Sequence, residues 1–221
     1  MFKVTSLIHL SDASDHVSAA RLTSDLRIAA GRSKVSRSVV ERTLPGVRNG
    51  GDVLVHLQFE RREDWNSSRS EFDHLLGHSA IHHVDQVEYF PGQTGTRRNA
   101  HGSVYRSLLL SVADGTDDEV VRRFEDETLR MPAHVRTMTS WQLSRVDNSR
   151  GSVPYTHVWE QEFTDLAGLT GPYLAHPVHW GYIDRWFDPE CPEVIIRDRV
   201  AHSFCNLDAA VIEARATELT A

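Results

Sequence analysis

The chain has 221 residues, 40% of them hydrophobic and 25% charged, with a net charge of −7. That length can bury one good core or two small ones, and an acidic chain with scattered basic residues makes a poor nucleic-acid binder. No run approaches the ~18 apolar residues of a membrane span, and MFKVTSLIHLSDASD lacks the charged, apolar, small order of a signal peptide. A cytoplasmic location is therefore expected, with no membrane partner. Cys191 and Cys205 cannot make a disulfide framework, and a reducing compartment keeps them as thiols.

In chain order, FKVTSLIHL alternates as a strand, and HVSAARLTSDLRIAAG reads as a helix ended by a glycine. KVSRSVVERTL and GDVLVHLQF are strands separated by PGVRNGG, a turn signal. EDWNSSRSEFDHLL is helical, HHVDQVEYF is a closing strand, and PGQTGTRRNAHGS, Pro91 to Ser103, reads as a linker. Val104, Arg106, Leu108, Leu110 and Val112 then share one face of a strand. DDEVVRRFEDETLRM places Val120, Val121, Phe124, Thr128 and Met131 at helical spacing, with Thr116 or Asp117 as N-cap and Pro132 as the stop.

VRTMTSWQLSRV is a strand with Val135, Thr137, Thr139, Trp141 and Leu143 on one face. DNSRGSVP follows as a turn, and YTHVWEQEF as a further strand. Helical material runs from Asp165 to Phe187, broken at Pro177, and PEVIIRDRVAHSF is the last strand. NLDAAVIEARATELTA is an amphipathic helix former with Leu207, Val211 and Ala214 on one side.

The order β-α-β-β-α-β thus occurs twice. It predicts an α+β protein of two tandem ferredoxin-like domains, residues 1–95 and 104–221, each a four-stranded antiparallel sheet with helices on one face. The bare sheet faces would expose large apolar patches. Packing them sheet to sheet removes the patches and makes a dimeric α+β barrel within one chain.

The chemistry concentrates in YLAHPVHWGYIDRW, Tyr173 to Trp186. An imidazole such as His179 can take and return a proton near neutral pH. A phenol such as Tyr173 can hold a developing oxyanion. Together they suit proton abstraction next to a carbonyl, although both could instead satisfy buried backbone groups. His176 stands at the helix break, as a structural or a catalytic group. His157 shares a strand face with Trp159 and Phe163, where it would support the core or orient His179.

His176 and His179 form H-x-x-H, but a third metal ligand, Asp184 or Glu160, is not fixed by the pattern. No metal site is expected there or at His74, His78, His82 and His83, which read as solvated histidines. Trp180, Tyr182 and Trp186 could wall a pocket for an aromatic substrate or belong to the core. Arg106 sits on an apolar face, so it should pair with Glu160 or Glu162, or else bind a substrate carboxylate. No nucleotide motif or nucleophile elbow occurs.

Tyr155, Thr156, His157, Glu160 and Phe163 fit a YTHxxExxF pattern, and Tyr173, His176, Pro177 and His179 fit YxxHPxH. This pairing resembles the stress-responsive dimeric A/B-barrel (Dabb) family over residues 104–204. The first half resembles it in element order alone. The resemblance implies an α+β barrel and chemistry like that of olivetolic acid cyclase-like members, in which the positions of Tyr173 and His179 act together.

It further implies a cofactor-independent lyase, cyclase or isomerase acting on a small aromatic or polyketide-like carbonyl or phenolic compound. A non-catalytic stress or ligand-binding protein and a cofactor-free monooxygenase are the alternatives, and a homodimer is allowed. Two positions depart from the cyclase, which has a histidine where Arg106 stands and a tyrosine where Phe124 stands. The first half has no YxxHPxH, so one site of this type is expected, not two.

Overall fold

The structure is a computed structural model that describes residues 1–197 and 200–212. Its first four strands are β1 (Phe2–Leu10), β2 (Val35–Arg42), β3 (Val53–Phe59) and β4 (Ile81–Tyr89), with helices α1 (His16–Arg32) and α2 (Arg62–Leu76) between them. After the short β5 (Gln93–Thr96) come β6 (Val104–Leu110), α3 (Asp118–His134), β7 (Met138–Arg150), β8 (His157–Phe163) and β9 (Ala201–Asn206). The strands lie in the order β2-β3-β1-β4-β7-β8-β6-β9, with β5 on the flank of β7. The spatial order 2-3-1-4 therefore occurs twice, and every ladder is antiparallel.

Strand alternation builds three cores from this arrangement. In β1 the even positions Phe2, Val4 and Ile8 pack under α1 and α2, with Val53, Val55, Leu57, Phe59, Trp65 and Phe72. In the second half, Val104, Leu108 and Leu110 of β6 pack under α3 with Trp159 and Phe163. The opposite faces meet each other: Leu7, Leu54, Val87 and Tyr89 pack on Tyr105, Leu109, Val158 and Cys205. The fold class expected from the sequence is thus the one observed, two ferredoxin-like units with inner faces packed together.

The sheets are also continuous, because β4 pairs with β7 through Gln86↔Arg150 to Tyr89↔Val146. On the other side the bridges Thr43↔Cys205 and Arg48↔His202 tie the β2–β3 hairpin to β9. Both bare edges are thereby used, which closes a barrel and removes exposed pairing groups.

Several boundaries differ from the sequence reading. Gly31 lies inside α1, whose C-cap is Ser33. Pro132 sits in the last turn of α3 and does not stop it. The C-terminal carbonyls of Pro132 and Val135 accept from the guanidinium of Arg97, which also donates to the Met138 oxygen at the start of β7. The Pro91–Ser103 linker contains β5, which pairs with Leu143 to Ser140 of β7. DNSRGSVP is strand as far as Arg150, because β4 offers it an edge. The last strand begins only at Ala201. Ile195 and Ile196 instead hang their N–H groups on the Trp186 carbonyl and bury their side chains in the second core. Of the C-terminal amphipathic segment, Leu207, Val211 and Ile212 pack in the barrel core, and residues 213–221 lie outside the described part.

The hairpin PGVRNGG closes onto β9 through tight backbone approaches. A Cβ on Gly50 would fall within the His202 carbonyl and 2.7 Å from the Ser203 Cα. Gly51, at φ +74°, would meet Ile8 backbone. Gly50→Ala is expected to lower stability by about 1–3 kcal/mol through forced displacement of packed backbone. Chemical denaturation checks this, and an unchanged midpoint would show that the hairpin is free to lift.

Candidate functional site

Between the second-half sheet and its helices lies a cavity of about 420 Å³, within the usual range for small-molecule sites. Its sheet floor carries Arg106, Leu108 and Leu110 of β6, Trp159 of β8 and His202 of β9. Phe124, Thr128 and Met131 of α3 line one wall. Tyr173, His179, Ile183 and Asp184 line another, and Arg48 and Asn49 reach in from the first-half hairpin.

The segment after β8 supplies the Tyr and His. It is one turn of α-helix, Leu166–Gly168, followed by a π-helical turn Leu169–Tyr173 that contains Pro172. After the break at His176–Pro177 comes a second π-helical turn, His179–Ile183, then a 3₁₀ turn Asp184–Trp186. Wide turns of this kind are uncommon and often mark functional positions. They put the Tyr173 and His179 rings in edge-to-face contact, with centroids 4.8 Å apart and planes at 68°.

Tyr173 is buried, and its hydroxyl accepts a hydrogen bond from Nη1 of Arg106 at 3.2 Å. The same nitrogen donates to the Gln161 side chain. Nδ1 of His179 lies 3.5 Å from a carboxylate oxygen of Asp184. The His202 imidazole is pushed down to about 2 by burial, with the Arg106 charge and His179 adding to it, so this ring is neutral. Its Nε2 has no hydrogen-bond partner among the described residues.

Arg106 does not pair with Glu160 or Glu162, contrary to the first sequence expectation. Register is the reason: Arg106 stands opposite Gln161, so both glutamates point to the other face. Inside the barrel, Glu160 meets Lys3 Nζ at 3.1 Å and accepts from the Tyr105 hydroxyl at 3.0 Å. Glu162 accepts from the N–H groups of Val211 and Ile212 at 2.7 and 2.9 Å. Arg106 is left 3% exposed, with its Nε unpartnered among the described residues. Burial pulls its pKa down while the Tyr173 contact pushes it up.

The other sequence candidates fall outside the cavity lining. His157 faces α3, with Nε2 3.1 Å from Glu125 and Nδ1 2.8 Å from the Thr156 hydroxyl, so it does not orient His179. His176 accepts from the Val178 N–H at 3.1 Å and lies beside His134, which serves the helix break. No cluster of three or more metal-ligating side chains occurs among the described residues. Trp180 is 60% exposed and forms no pocket wall. Trp186 is core, donating to Glu127 at 2.8 Å and packed on Phe124.

Sequence reasoning missed His202, Arg48 and Asn49, and considered Asp184 only as a metal ligand. Strand alternation with Phe204 could have placed His202. No sequence signal says that PGVRNGG reaches the other half.

Glu125 beside His157 gives the region a pH signature. Burial pushes its carboxyl up, but hydrogen bonds from His157 and Arg145 outweigh that and hold it at about 2, below its ordinary value of 4.5. The stabilisation is therefore present above about pH 4.5 and lost as pH falls towards 2. Glu125→Gln is expected to lower stability at pH 7 and to flatten the fall in melting temperature between pH 5 and about 2. Parallel acid slopes for variant and parent would contradict this.

The second half has a counterpart among known protein families. Residues 104–201 match the Stress responsive A/B Barrel Domain. The matched A/B barrel segment contains Arg106, Tyr173 and His179, ends one residue before His202, and excludes Arg48 and Asn49.

Solved structures resemble the whole two-unit chain. An anthrone oxidase-like protein shares 10% identity at a TM-score of 0.68, covering 93% of this chain and 90% of its own. A monooxygenase candidate from Lactobacillus acidophilus NCFM shares 11% at 0.55, covering 96% and 98%. A mutant chlorite dismutase from Candidatus Nitrospira defluvii shares 9% at 0.56, covering 92% and 90%. At such identities the likeness is one of fold. No curated protein matches the chain. Among the described residues no helix is long and apolar enough to cross a membrane.

Proposed function

We propose that this chain is an acid–base enzyme that moves a proton at a carbon next to a carbonyl, in a lyase, cyclase or isomerase reaction on a small, largely apolar compound. One observation carries the reading: a single cavity is lined by Tyr173, whose hydroxyl is backed by Arg106, and by His179, whose ring is backed by Asp184. His179 is the base. Asp184 lies at Nδ1, which leaves Nε2 to receive the proton and steadies the imidazolium that forms. Because Tyr173 accepts from Arg106, its own proton is free to meet the enolate oxygen as charge develops there. Leu108, Leu110, Phe124, Met131 and Trp159 give the apolar body of the substrate its surface.

The names of the fold neighbours support a second reading, in which the same carbanion, drawn from an electron-rich phenol, reacts with dioxygen. One experiment separates the two. Small aryl ketones and phenols are incubated with the protein in D₂O, and exchange at the acidic carbon is followed by NMR beside an oxygen electrode. Exchange without oxygen uptake supports the proton-transfer enzyme, and matched oxygen uptake supports the oxygenase. Ligands that bind the cavity yet neither exchange nor consume oxygen would leave a binding protein instead.

A further inference from the structure

The cavity has a charge pattern that proton transfer alone does not explain. Among the described residues that line it, two are permanent cations, Arg48 and Arg106, and one is a carboxylate, Asp184, which lies beside His179. Two lining side chains have a buried polar atom without a partner among the described residues, Arg106 at Nε and His202 at Nε2. Gln161 and Tyr173, the side-chain partners of Arg106, are neutral amide and phenol groups. A guanidinium taken out of water without a counter-charge is costly, so a buried one on the wall of a cavity points to an anion that completes it. Nearby glutamates are spent on the opposite sheet face, on Lys3 and on the C-terminal backbone.

Arg48 reaches the same cavity from the first half. Its backbone is fixed against His202 by hydrogen bonds of 3.0 and 2.8 Å. Its guanidinium is exposed and has no ion pair among the described residues. Asn49, held at φ 54°, anchors the turn by donating to the Val200 carbonyl at 3.1 Å. The hairpin therefore carries a second cation to the mouth of a site whose acid–base groups belong to the other half.

We infer that the substrate is an aromatic or otherwise apolar carboxylic acid, whose carboxylate is received by Arg106 and steered by Arg48 from the first half. Arg106 presents planar donors suited to a carboxylate, and the apolar walls take the ring. The first half is then part of the site, although it has no YxxHPxH of its own. This deepens the proton-transfer reading and rests on the cavity being its substrate site.

Calorimetric titration of the full chain with benzoate, benzamide and inorganic phosphate, at constant ionic strength, tests it. Benzoate is expected to bind roughly tenfold or more tightly than benzamide, the increment of a charge-assisted hydrogen bond. Arg106→Met should remove that preference, and Arg48→Ala should weaken benzoate several-fold and reduce its salt dependence. Should Arg106→Met fail to fold, Arg106→Lys and the surface variant Arg48→Ala carry the same comparison.

Equal affinity for benzoate and benzamide, benzoate affinity indifferent to both arginines, or phosphate bound as tightly as benzoate would each overturn the carboxylate assignment. His179→Ala separates the two readings. It should keep benzoate affinity within about threefold while removing proton exchange, since the charge it deletes is not the one that binds the acid. Lost benzoate preference with intact exchange sinks only the carboxylate. In the parent protein, a benzoate preference without any proton exchange sinks only the chemistry.

Discussion

His179→Ala is expected to slow proton exchange on a true substrate by about 10²–10⁴-fold, the contribution of a positioned general base, while the protein stays folded. The stability loss should be small, because the ring is on the cavity wall and not in the core. It gives up one edge-to-face contact with Tyr173 at 4.8 Å and a 3.5 Å approach to Asp184. An aromatic contact of this kind is worth about 1 kcal/mol, which in a chain of this size moves the melting temperature by about 2–4 °C.

Tyr173→Phe makes the companion measurement. It keeps the ring against His179 and Phe163 but removes the hydroxyl that Arg106 donates to. A fall of about 10²-fold in kcat would mark the loss of an oxyanion donor. Full activity in a folded His179→Ala protein would end the acid–base reading. A large melting shift with no kinetic change would make the histidine a packing residue.

The largest expected loss of stability lies elsewhere, at Lys3. This residue crosses the barrel interior from β1 to reach Glu160 on β8, donating to its two oxygens at 3.1 and 3.2 Å and also to Gln142. Both charged groups are buried. Burial pushes the Glu160 carboxyl up, but the Lys3 ammonium, together with smaller contributions from His56 and the Tyr105 hydroxyl, outweighs that and keeps it below the usual range. His56 lies 3.5 Å from Glu160, yet burial holds its imidazole at about 3, so it is neutral and cannot replace the lysine charge.

Lys3→Met should therefore strand a buried carboxylate and cost about 3–5 kcal/mol, a fall in melting temperature on the order of 10 °C. Adding Glu160→Gln should recover much of it, because the uncompensated charge is gone. Two single variants whose losses simply add would show that the pair is not coupled. The pair also joins the two halves, so its loss should loosen the interface that holds the β2–β3 hairpin over the cavity.

The elements that could be read in the sequence share a property: each is encoded locally. The alternation in Val104–Leu110, the helical spacing of Val121, Phe124 and Met131, and the repeated β-α-β-β-α-β order all depend on neighbours in the chain. So does the pairing of Tyr173 with His179, because the helical segment that brings them together is continuous apart from the Pro177 break. The departures came where a distant segment supplied a partner. Arg97 accepted Pro132 into α3, β4 extended β7 through the expected turn, and β7 drew β5 out of the linker.

By itself, then, the sequence determined the fold class, the double order of elements and the Tyr173–His179 pair at a helix break. Tertiary structure decided the electrostatics of the cavity. Register between β6 and β8 placed Gln161 beside Arg106 and turned Glu160 and Glu162 away, so the expected ion pair gave way to an arginine with no acidic partner among the described residues. The β2–β3 hairpin brought Arg48 across to β9, and β9 brought His202 beneath it. The physical reason is that a side chain's periodicity says which face it occupies, whereas its charge partner depends on which strand lies opposite and in what register.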